Sequence, residues 1–295
     1  MVSPDIRISI EHDVPLTAPD AEIVLNGLMA YNAANLPPAA GRFVLVASDQ
    51  EKGTPQAGLS LTLWGRDAYC FWGAWAAPGV EAAPAISTLL ARTEAELLRR
   101  DVDRLIMVVR AHDDTAPYLA AGFGLRQVIA DHISGGAFTV LEKRLAARDG
   151  GGRDMPPGLA LAIHEPPPRP LSQEIWRITD ARRQGLLGAP VRLVAAYVRD
   201  RTNNAPRGAA LCYAVGTDFM VDMVWVEEGL RGTGTGFAML AAALDEGRRM
   251  GCTRAAVETM DCQAPTFYPL HGFRRFGYAE YDVPGLNMNF FDMKL

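Results

Sequence analysis

The stretch FMVDMVWVEEGLRGTGTGFAML, residues 219–240, joins three local patterns in a fixed order. Residues 219–226 form an apolar run that is typical of a buried strand. Residues 227–235 hold one arginine among closely spaced glycines and threonines, which predicts a loop. Residues 236–251 have helical composition and end at Gly251, a residue type that favours a helix stop. A glycine loop between a strand and a helix raises the question of which anion it holds.

Two common nucleotide motifs do not fit this loop. A dinucleotide fingerprint needs Gly-x-Gly-x-x-Gly or a final alanine. Counted from Gly232 the third position is Phe237, and counted from Gly234 it is Met239. A triphosphate-binding loop of the Walker type needs a lysine after its last glycine, and this stretch has none.

What remains is an Arg-x-x-Gly-x-Gly pattern, and its chemistry suits a phosphate group. Glycines let the backbone approach a bulky anion without a Cβ clash. Successive backbone N–H groups and the positive end of a helix favour negative charge. Threonine hydroxyls add donors, and the arginine adds positive charge. The predicted diphosphate-binding residues are Arg231, Gly232, Thr233, Gly234, Thr235 and Gly236. The alternative is a flexible surface loop that only caps a helix.

The order of elements around the loop resembles the GCN5-related N-acetyltransferase (GNAT) superfamily. After the helix come a further strand and the stretch QAPTFYPLHGF (263–273), which is similar to the superfamily's Phe-Tyr-x-x-x-Gly-Phe ending. The resemblance covers nearly all of residues 159–295, and most specifically 221–273. It implies an α/β (α+β) fold in which a mixed, largely antiparallel sheet of six to seven strands is flanked by helices. It also implies acetyl-CoA as co-substrate, held by the loop.

The first half of the chain follows the same order of predicted elements, which indicates a tandem duplication. At a constant offset of 150 residues, identical side chains coincide at several positions. These pairs are Trp75 and Trp225, Gly79 and Gly229, Leu90 and Leu240, Arg104 and Arg254, Tyr118 and Tyr268, Gly122 and Gly272, and Phe123 and Phe273. The predicted division is a degenerate GNAT-like domain over residues 1–146, a Gly- and Pro-rich linker over 147–157, and a catalytic domain over 158–295.

The first copy has lost the loop residues. Glu81 stands at the position of Arg231, and its carboxylate would repel a diphosphate. Pro84 removes a backbone donor, and Ile86 restores a side chain where the second copy has glycine. We therefore predict that the first domain does not bind CoA and serves a structural role.

The resemblance implies roles for Tyr268 and for the end of the strand before the loop. Tyr268 matches the tyrosine of the Tyr-x-x-x-Gly-Phe pattern and is the candidate proton donor to the departing thiolate. The alternative role for Tyr268 is an aromatic side chain packed under a helix. Val224, Trp225 and Val226 are expected to contact the pantetheine arm through backbone groups, one of which would polarise the acetyl carbonyl.

Two carboxylates are candidates for the general base. Asp222 lies on the strand that leads into the loop, on one face with Val224 and Val226 if the strand alternates regularly. Glu258 lies on the next strand. The alternative for both is a hydrogen-bonded or solvated side chain. Asp261 stands where many relatives carry an asparagine that faces the pantetheine, and Gln263 is predicted to replace that contact.

Composition limits the remaining function classes. The net charge of −5 gives no basic footprint for nucleic acid. The four cysteines show no Cys-x-x-Cys spacing, so neither a metal site nor a redox pair is predicted. The N-terminus has no apolar signal segment, and no stretch reaches the length of a spanning helix. A cytoplasmic protein without membrane contact is the expectation, as a monomeric pseudo-dimer or a homodimer.

These observations predict an enzyme that moves an acetyl group from acetyl-CoA to a primary amine of a small molecule or peptide, directly in a ternary complex. The alternative is a non-catalytic, regulatory module that binds acyl-CoA. A tandem enzyme with an unusual acceptor, such as the cysteinyl amine acetylated in mycothiol synthesis, is a third hypothesis. The acceptor is not specified by any pattern in the sequence.

Overall fold

The structure is a computed structural model that describes residues 5–15, 17–111, 113–146, 155–187 and 189–295. The chain divides into two compact units. Unit 1 comprises Met1–Pro37, His132–Ser134 and Ala189–Leu295, and unit 2 comprises Pro38–Asp131 and Gly135–Gly188.

The described residues form fifteen strands and five α-helices. The strands are β1 (Ile6–His12), β2 (Gly41–Asp49), β3 (Pro55–Trp64), β4 (Asp67–Cys70), β5 (Trp75–Ala76), β6 (Arg104–Ala111), β7 (Gly124–Ile129), β8 (Ala137–Arg144), β9 (Leu159–His164), β10 (Arg192–Asp200), β11 (Pro206–Val215), β12 (Asp218–Val226), β13 (Arg254–Met260), β14 (Arg274–Ala279) and β15 (Met288–Lys294). The helices are α1 (Pro19–Asn35), α2 (Ala82–Arg99), α3 (Ala116–Ala120), α4 (Arg169–Leu187) and α5 (Thr235–Arg249). None of the helices described is both long and apolar enough to cross a bilayer.

Unit 1 is built on a seven-stranded sheet with the order β1-β10-β11-β12-β13-β15-β14. Its strand pairs are antiparallel except β12 and β13, which run parallel because α5 connects them. One face of the sheet packs on α5 through Phe219, Val221, Leu240 and Leu244. The other face packs on α1 through a second cluster that contains Ala21 and Val24.

Unit 2 is built on a sheet with the order β7-β8-β6-β4-β3-β2-β9. Its connectivity repeats that of unit 1, with β4 and β6 as the parallel pair. The mixed, largely antiparallel sheets predicted from the sequence are thus confirmed. This sheet has eight strands rather than six or seven, because the short β5 pairs with β3 beside the other seven strands.

The first strand and first helix of the two units are exchanged along the chain. Strand β1 pairs with β10 of unit 1, with Ile6 opposite Asp200, although it precedes all of unit 2. Strand β9 pairs with β2 of unit 2, with Val44 opposite His164. The units therefore differ from the predicted division into 1–146 and 158–295. The strand sequences IRISIEH and LALAIHE have patterns compatible with pairing in either sheet. The sequence of neither strand therefore determines which strand it pairs with.

The predicted linker 147–157 lies outside the described residues except for 155–157. Helix α1 accordingly belongs to unit 1, where it packs on β11 and β12. Helix α4 belongs to unit 2, where Ile178 packs on Val44, Val46 and Trp75.

Candidate active site

The glycine loop of unit 1 lies between β12 and α5, as the sequence predicts. A short 3₁₀ turn over Glu228–Leu230 comes first, and the buried side chain of Leu230 anchors it to the core. Gly232 and Gly234 have φ angles of 72° and 83°, in the left-handed region that favours glycine. Gly234 is also the N-cap of α5. The first-turn N–H groups of α5 have no partner inside the helix, so the loop presents backbone donors to an anion.

Arg231 is fixed at the entrance of this loop. Its Nε donates a hydrogen bond to the carbonyl oxygen of Val226, at 3.0 Å. Its guanidinium carbon lies 4.9 Å from the ring centroid of Tyr31, which is on α1. The contact between a cation and an aromatic face orients the guanidinium while the residue stays exposed. The exchanged helix α1 thus takes part in positioning the positive charge of the loop.

The two threonines have different positions from those expected. Thr235 is fully buried, and its Oγ1 lies 2.7 Å from Oγ1 of Thr233. Thr233 Oγ1 donates to the carbonyl oxygen of Leu230, at 2.7 Å. These hydroxyls stabilise the loop from within, so the backbone N–H groups are the donors that remain for a ligand at this place.

Strands β12 and β13 separate towards the loop. Their parallel pairing extends from Asp218 to Val221 on β12, opposite Arg254 to Val257 on β13. Residues 223–226 stay paired with β11 on their other side. The strand edge that includes Val224, Trp225 and Val226 therefore borders a wedge between β12 and β13, which we call the wedge below. An unpaired strand edge offers backbone N–H and C=O groups to an extended ligand arm.

Tyr268 lies in the 3₁₀ turn Tyr268–His271 and is 6% exposed. Its ring packs on the rings of Phe267, Phe273 and Phe291. Burial raises the pKa of the Tyr268 hydroxyl above its ordinary value, and the nearby Cys212 adds to this. The hydroxyl is therefore protonated at neutral pH, the form that a proton donor needs.

Cys212 lies near Tyr268, and Asp222 lies near Cys212. Cys212 is a residue that the sequence did not single out. Burial raises the pKa of the Cys212 thiol, and the charge of Asp222 raises it further. A β-bulge between Leu211 and Cys212 leaves Asp222 as the extra residue on β12. The bulge breaks the regular alternation assumed for Asp222. Phe219, Val221, Val224 and Val226 share one face only because one residue is inserted.

Glu258 has a close partner that the sequence did not reveal. Its Oε1 lies 2.5 Å from Nε2 of His132, a side chain buried beneath the ring of Phe290. The neighbours Ala255 and Val257 face α5, so by strand alternation Glu258 faces the other side of the sheet. The structure therefore separates Glu258 from the face that carries Tyr268. His132 comes from the loop between β7 and β8, and no local pattern predicts this pair.

Gln263 and Asp261 lie at the end of β13. The Gln263 side chain accepts hydrogen bonds from Thr259 Oγ1 and from the N–H of Met260, both at 3.0 Å, and donates one to Asn32 on α1. Burial opposes ionisation of Asp261, but hydrogen bonds from Asn289 and Tyr278 hold the pKa of this carboxyl below its usual range. Both side chains are thus engaged within the unit, and Asp261 is a structural carboxylate of the β13–β15 end. No group of three or more His, Cys, Asp or Glu side chains among the described residues is placed to hold a metal ion.

Unit 1 thus combines a glycine loop in the left-handed conformation, the open edge of β12 and the buried Tyr268. Part of the chain matches the model of the Acetyltransferase (GNAT) family. The match covers residues 162–278, which is less than half of the chain.

Two curated proteins align with this chain over a short stretch. One is the blasticidin-S acetyltransferase of Streptomyces morookaense, 46% identical over 55 residues, or 18% of this chain and 40% of that protein. The other is the acetyltransferase Atu2258 of Agrobacterium fabrum (strain C58 / ATCC 33970), 37% identical over 57 residues, or 19% of this chain and 42% of that protein. The chain thus spans about two fifths of the length of these relatives.

Solved structures align with a larger portion of this chain. An acetyltransferase from Bacillus cereus ATCC 14579 is 22% identical at a TM-score of 0.36, and covers 44% of this chain and 94% of that chain. A putative acetyltransferase from Agrobacterium tumefaciens is 22% identical at a TM-score of 0.37, with the same coverage of 44% and 94%.

The stretch that matches the GNAT family is continuous in sequence but not in the folded unit. Residues 162–278 begin within β9 and include α4, and both belong to unit 2. The glycine loop, β12, β13 and Tyr268 belong to unit 1, which takes its first strand and helix from β1 and α1. On this first helix, Tyr31 contacts Arg231 of the loop and Asn32 contacts Gln263 at the end of β13.

Proposed function

We propose that unit 1 transfers an acetyl group from acetyl-CoA to a primary amine of a small molecule or peptide, in a ternary complex. The observation that carries this proposal is the left-handed loop of Gly232 and Gly234 at the N-terminus of α5, directly after the open edge of β12. Backbone donors at a helix N-terminus suit the diphosphate of CoA. The open edge suits the pantetheine arm, whose amide groups pair like an added strand.

The reaction follows from these positions. The amine nitrogen attacks the carbonyl carbon of the thioester, and a backbone N–H of Val224, Trp225 or Val226 stabilises the charge on the carbonyl oxygen. The C–S bond then breaks. The Tyr268 hydroxyl gives its proton to the departing thiolate, and the proton lost by the ammonium goes to a base and restores the tyrosine through solvent.

The position of Asp222 suits a general base better than the position of Glu258 does. Asp222 lies at the bulge of β12, and its charge raises the pKa of the Cys212 thiol. Cys212 in turn raises the pKa of the Tyr268 hydroxyl. Glu258 is committed to His132 on the other face of the sheet. We propose Asp222 as the base, directly or through a water molecule, and Glu258 as a residue that positions β13.

The experiment that tests the function measures thiol release from acetyl-CoA with pooled amines, followed by mass spectrometry of the product. A mass increase of one acetyl group on an amine supports the enzyme. Tight CoA binding without product from any amine class would instead support the acyl-CoA-binding module. Absence of CoA binding would contradict both.

Replacement of Tyr268 by phenylalanine is expected to lower turnover at least tenfold with little change in acetyl-CoA affinity. The change removes the proton donor but keeps the ring that packs on Phe273 and Phe291. The matched control is Tyr118→Phe in unit 2, which should leave turnover unchanged. Steady-state kinetics and a CoA titration of both variants check this, and unchanged turnover of Tyr268→Phe removes Tyr268 from the mechanism.

We further propose that unit 2 does not bind CoA. Helix α2 begins at Ala82, the counterpart of Gly232, so residues that form the loop in unit 1 are part of a helix here. Glu81 is its N-cap residue. The Tyr118 hydroxyl accepts a hydrogen bond from the N–H of Ala74, at 2.8 Å, which occupies the backbone donor at the position of Val224. A diphosphate and a pantetheine arm therefore lack their partners in unit 2.

Calorimetric titration of the full chain is expected to give one CoA per chain. Two equal sites would contradict the assignment of CoA binding to unit 1 alone. The Glu81→Gln variant is a second check, because removing one repulsive charge should not create a site where the backbone is already helical.

A further inference from the structure

The last turns of helix α1 contact the β12 side of the wedge at two places. A Cβ added at Gly27 would lie 2.2 Å from Cε2 of Trp225, so the helix backbone packs directly on the indole. One turn later, the Tyr31 ring lies against the guanidinium of Arg231 at the entrance of the loop. The end of β12 and the start of the loop are therefore both held to α1.

The same helix contacts the β13 side through a hydrogen bond and a packing contact. Nε2 of Gln263 donates to Oδ1 of Asn32, at 3.0 Å. At the C-cap of α1, Leu36 packs on the connection between β14 and β15. A Cβ added at Gly285 in that connection would lie 3.5 Å from Cδ2 of Leu36 and 3.0 Å from Cβ of Cys262. Helix α1 thus joins β12 to the segment that follows β13.

Such a connection matters because backbone hydrogen bonds do not set the width of the wedge. The pairing of β12 with β13 ends at Val221 and Val257. Beyond that point, the separation of the two strands depends on what packs on both of them. The hydrogen bond between Asn32 and Gln263 ties the helix to the β13 side, and we call this pair the brace (Asn32 and Gln263).

The neighbours of the brace fix the orientation of both amides. The N–H of Met260 can only donate, so the Gln263 atom that it faces at 3.0 Å is the carbonyl oxygen Oε1. Thr259 Oγ1 donates to the same oxygen, at 3.0 Å. Nε2 of Gln263 therefore points to Asn32, which must present its own carbonyl oxygen. The brace has one defined donor and one defined acceptor.

We propose that Asn32 and Gln263 are positioning residues that place Tyr268 relative to the thioester, an inference that rests on the proposed function. Gln263 begins the segment that leads to Tyr268, and both its side chain and its N–H are bonded to the end of β13. Tyr268 packs on Phe291 of β15, beyond β13. The loop and the open strand edge belong to β12. The brace therefore controls the distance between the proton donor and a substrate that β12 holds.

This role predicts a loss of rate without a loss of affinity. The diphosphate and the pantetheine arm bind to backbone groups on the β12 side, which the brace does not contact. A displacement of a reacting group by about 1 Å can cost about 100-fold in rate. Substitutions in the brace should therefore change turnover much more than they change the Kd of acetyl-CoA.

The test measures thiol release with the pooled amines at saturating acetyl-CoA, and the acetyl-CoA Kd, on the full chain. Asn32→Leu is close to asparagine in shape but removes the acceptor, so the rate is expected to fall at least about tenfold, with a Kd within about threefold of wild type. Asn32→Asp keeps an oxygen for Gln263 Nε2 and should retain the rate within about threefold. Asn35→Leu is the matched control, because Asn35 is exposed on the same turn and bonds only to the carbonyl oxygen of Tyr31.

A double substitution separates the brace from the effect of charge alone. Asn32→Asp combined with Gln263→Glu places two carboxylates where a donor faced an acceptor, and like charges repel. The rate is expected to be at least about tenfold lower than the two single effects multiplied together, because each single variant already contains the effect of its own charge.

Each outcome supports or overturns the brace. If Asn32→Leu weakens affinity and rate equally, α1 supports the unit as a whole and the positioning role is overturned. If the two sites act independently and only Gln263→Glu has an effect, Gln263 acts on the substrate directly and the brace is again overturned. If every Asn32 variant matches wild type, the brace is overturned while the proposed function stands. If wild type acetylates no amine, the proposed function fails and the positioning role fails with it.

Discussion

Replacement of Gly234 by valine is expected to weaken acetyl-CoA binding at least about 100-fold. A β-branched residue at φ 83° is strained by about 1–3 kcal/mol, so the loop changes its backbone path. The N–H groups that we propose to face the diphosphate would then lose their common direction, and the new side chain would occupy the space through which the anion approaches. Calorimetric titration with CoA measures the effect, and thiol release should fall in parallel at subsaturating donor.

Gly229→Val is the matched control for this variant. Gly229 lies five residues earlier in the same connection, its φ is outside the left-handed region, and an added Cβ meets nothing within 4 Å. We expect CoA affinity within about threefold of wild type. Equal losses in Gly229→Val and Gly234→Val would show that the connection tolerates no bulk anywhere, and the specific role of Gly234 would be refuted.

The Gly27→Ala variant is expected to destabilise unit 1 by about 3 kcal/mol, the upper part of the range for overpacking. An added Cβ on α1 would lie 2.2 Å from Cε2 of Trp225, and two further atoms of the indole lie within 2.6 Å. Either α1 or the indole must move, and Trp225 is one of the three predicted pantetheine contacts. Hydrogen–deuterium exchange of α1 measures the opening free energy directly.

The control for this substitution is expected to change stability in the opposite direction. Gly185 lies in α4, and a Cβ there meets nothing within 4 Å. Gly185→Ala should therefore stabilise its helix by about 0.5–1 kcal/mol, the ordinary gain of alanine over glycine. Faster exchange in α4 of Gly185→Ala, or unchanged exchange in α1 of Gly27→Ala, would contradict the packing described above.

The sequence predicted the local elements of unit 1 well because their signals are local. The strand before the loop, the glycine loop and α5 occupy the predicted positions, with Gly251 following the last turn of the helix. The Phe-Tyr-x-x-x-Gly-Phe stretch forms the 3₁₀ turn Tyr268–His271, which ends at Gly272 in the left-handed conformation. Glycine spacing and helical periodicity are properties of a few neighbouring residues, so they can be recognised in one chain.

The contacts that the sequence did not reveal depend on distant partners. The exchange of β1 and β9 could not be predicted, because strand pairing depends on the partner and a strand's pattern fixes only its faces. The bulge at Asp222 interrupts a run of apolar residues without a glycine or proline to mark it. The pair of His132 and Glu258 joins residues 126 positions apart, so no spacing rule applies.

The exchange of β1 also determines which of the two units can complete its fold first. The strands and helices of unit 2 from Gly41 to Leu187 are synthesised before β10, the partner of β1. During synthesis, apolar side chains of β1 and α1 such as Ile6 and Val24 stay exposed to solvent until the strands that begin at Arg192 have been synthesised. Pairings this distant in sequence close slowly. Unit 2 is therefore complete first, and assembly of the glycine-loop unit is the late, aggregation-exposed step of folding.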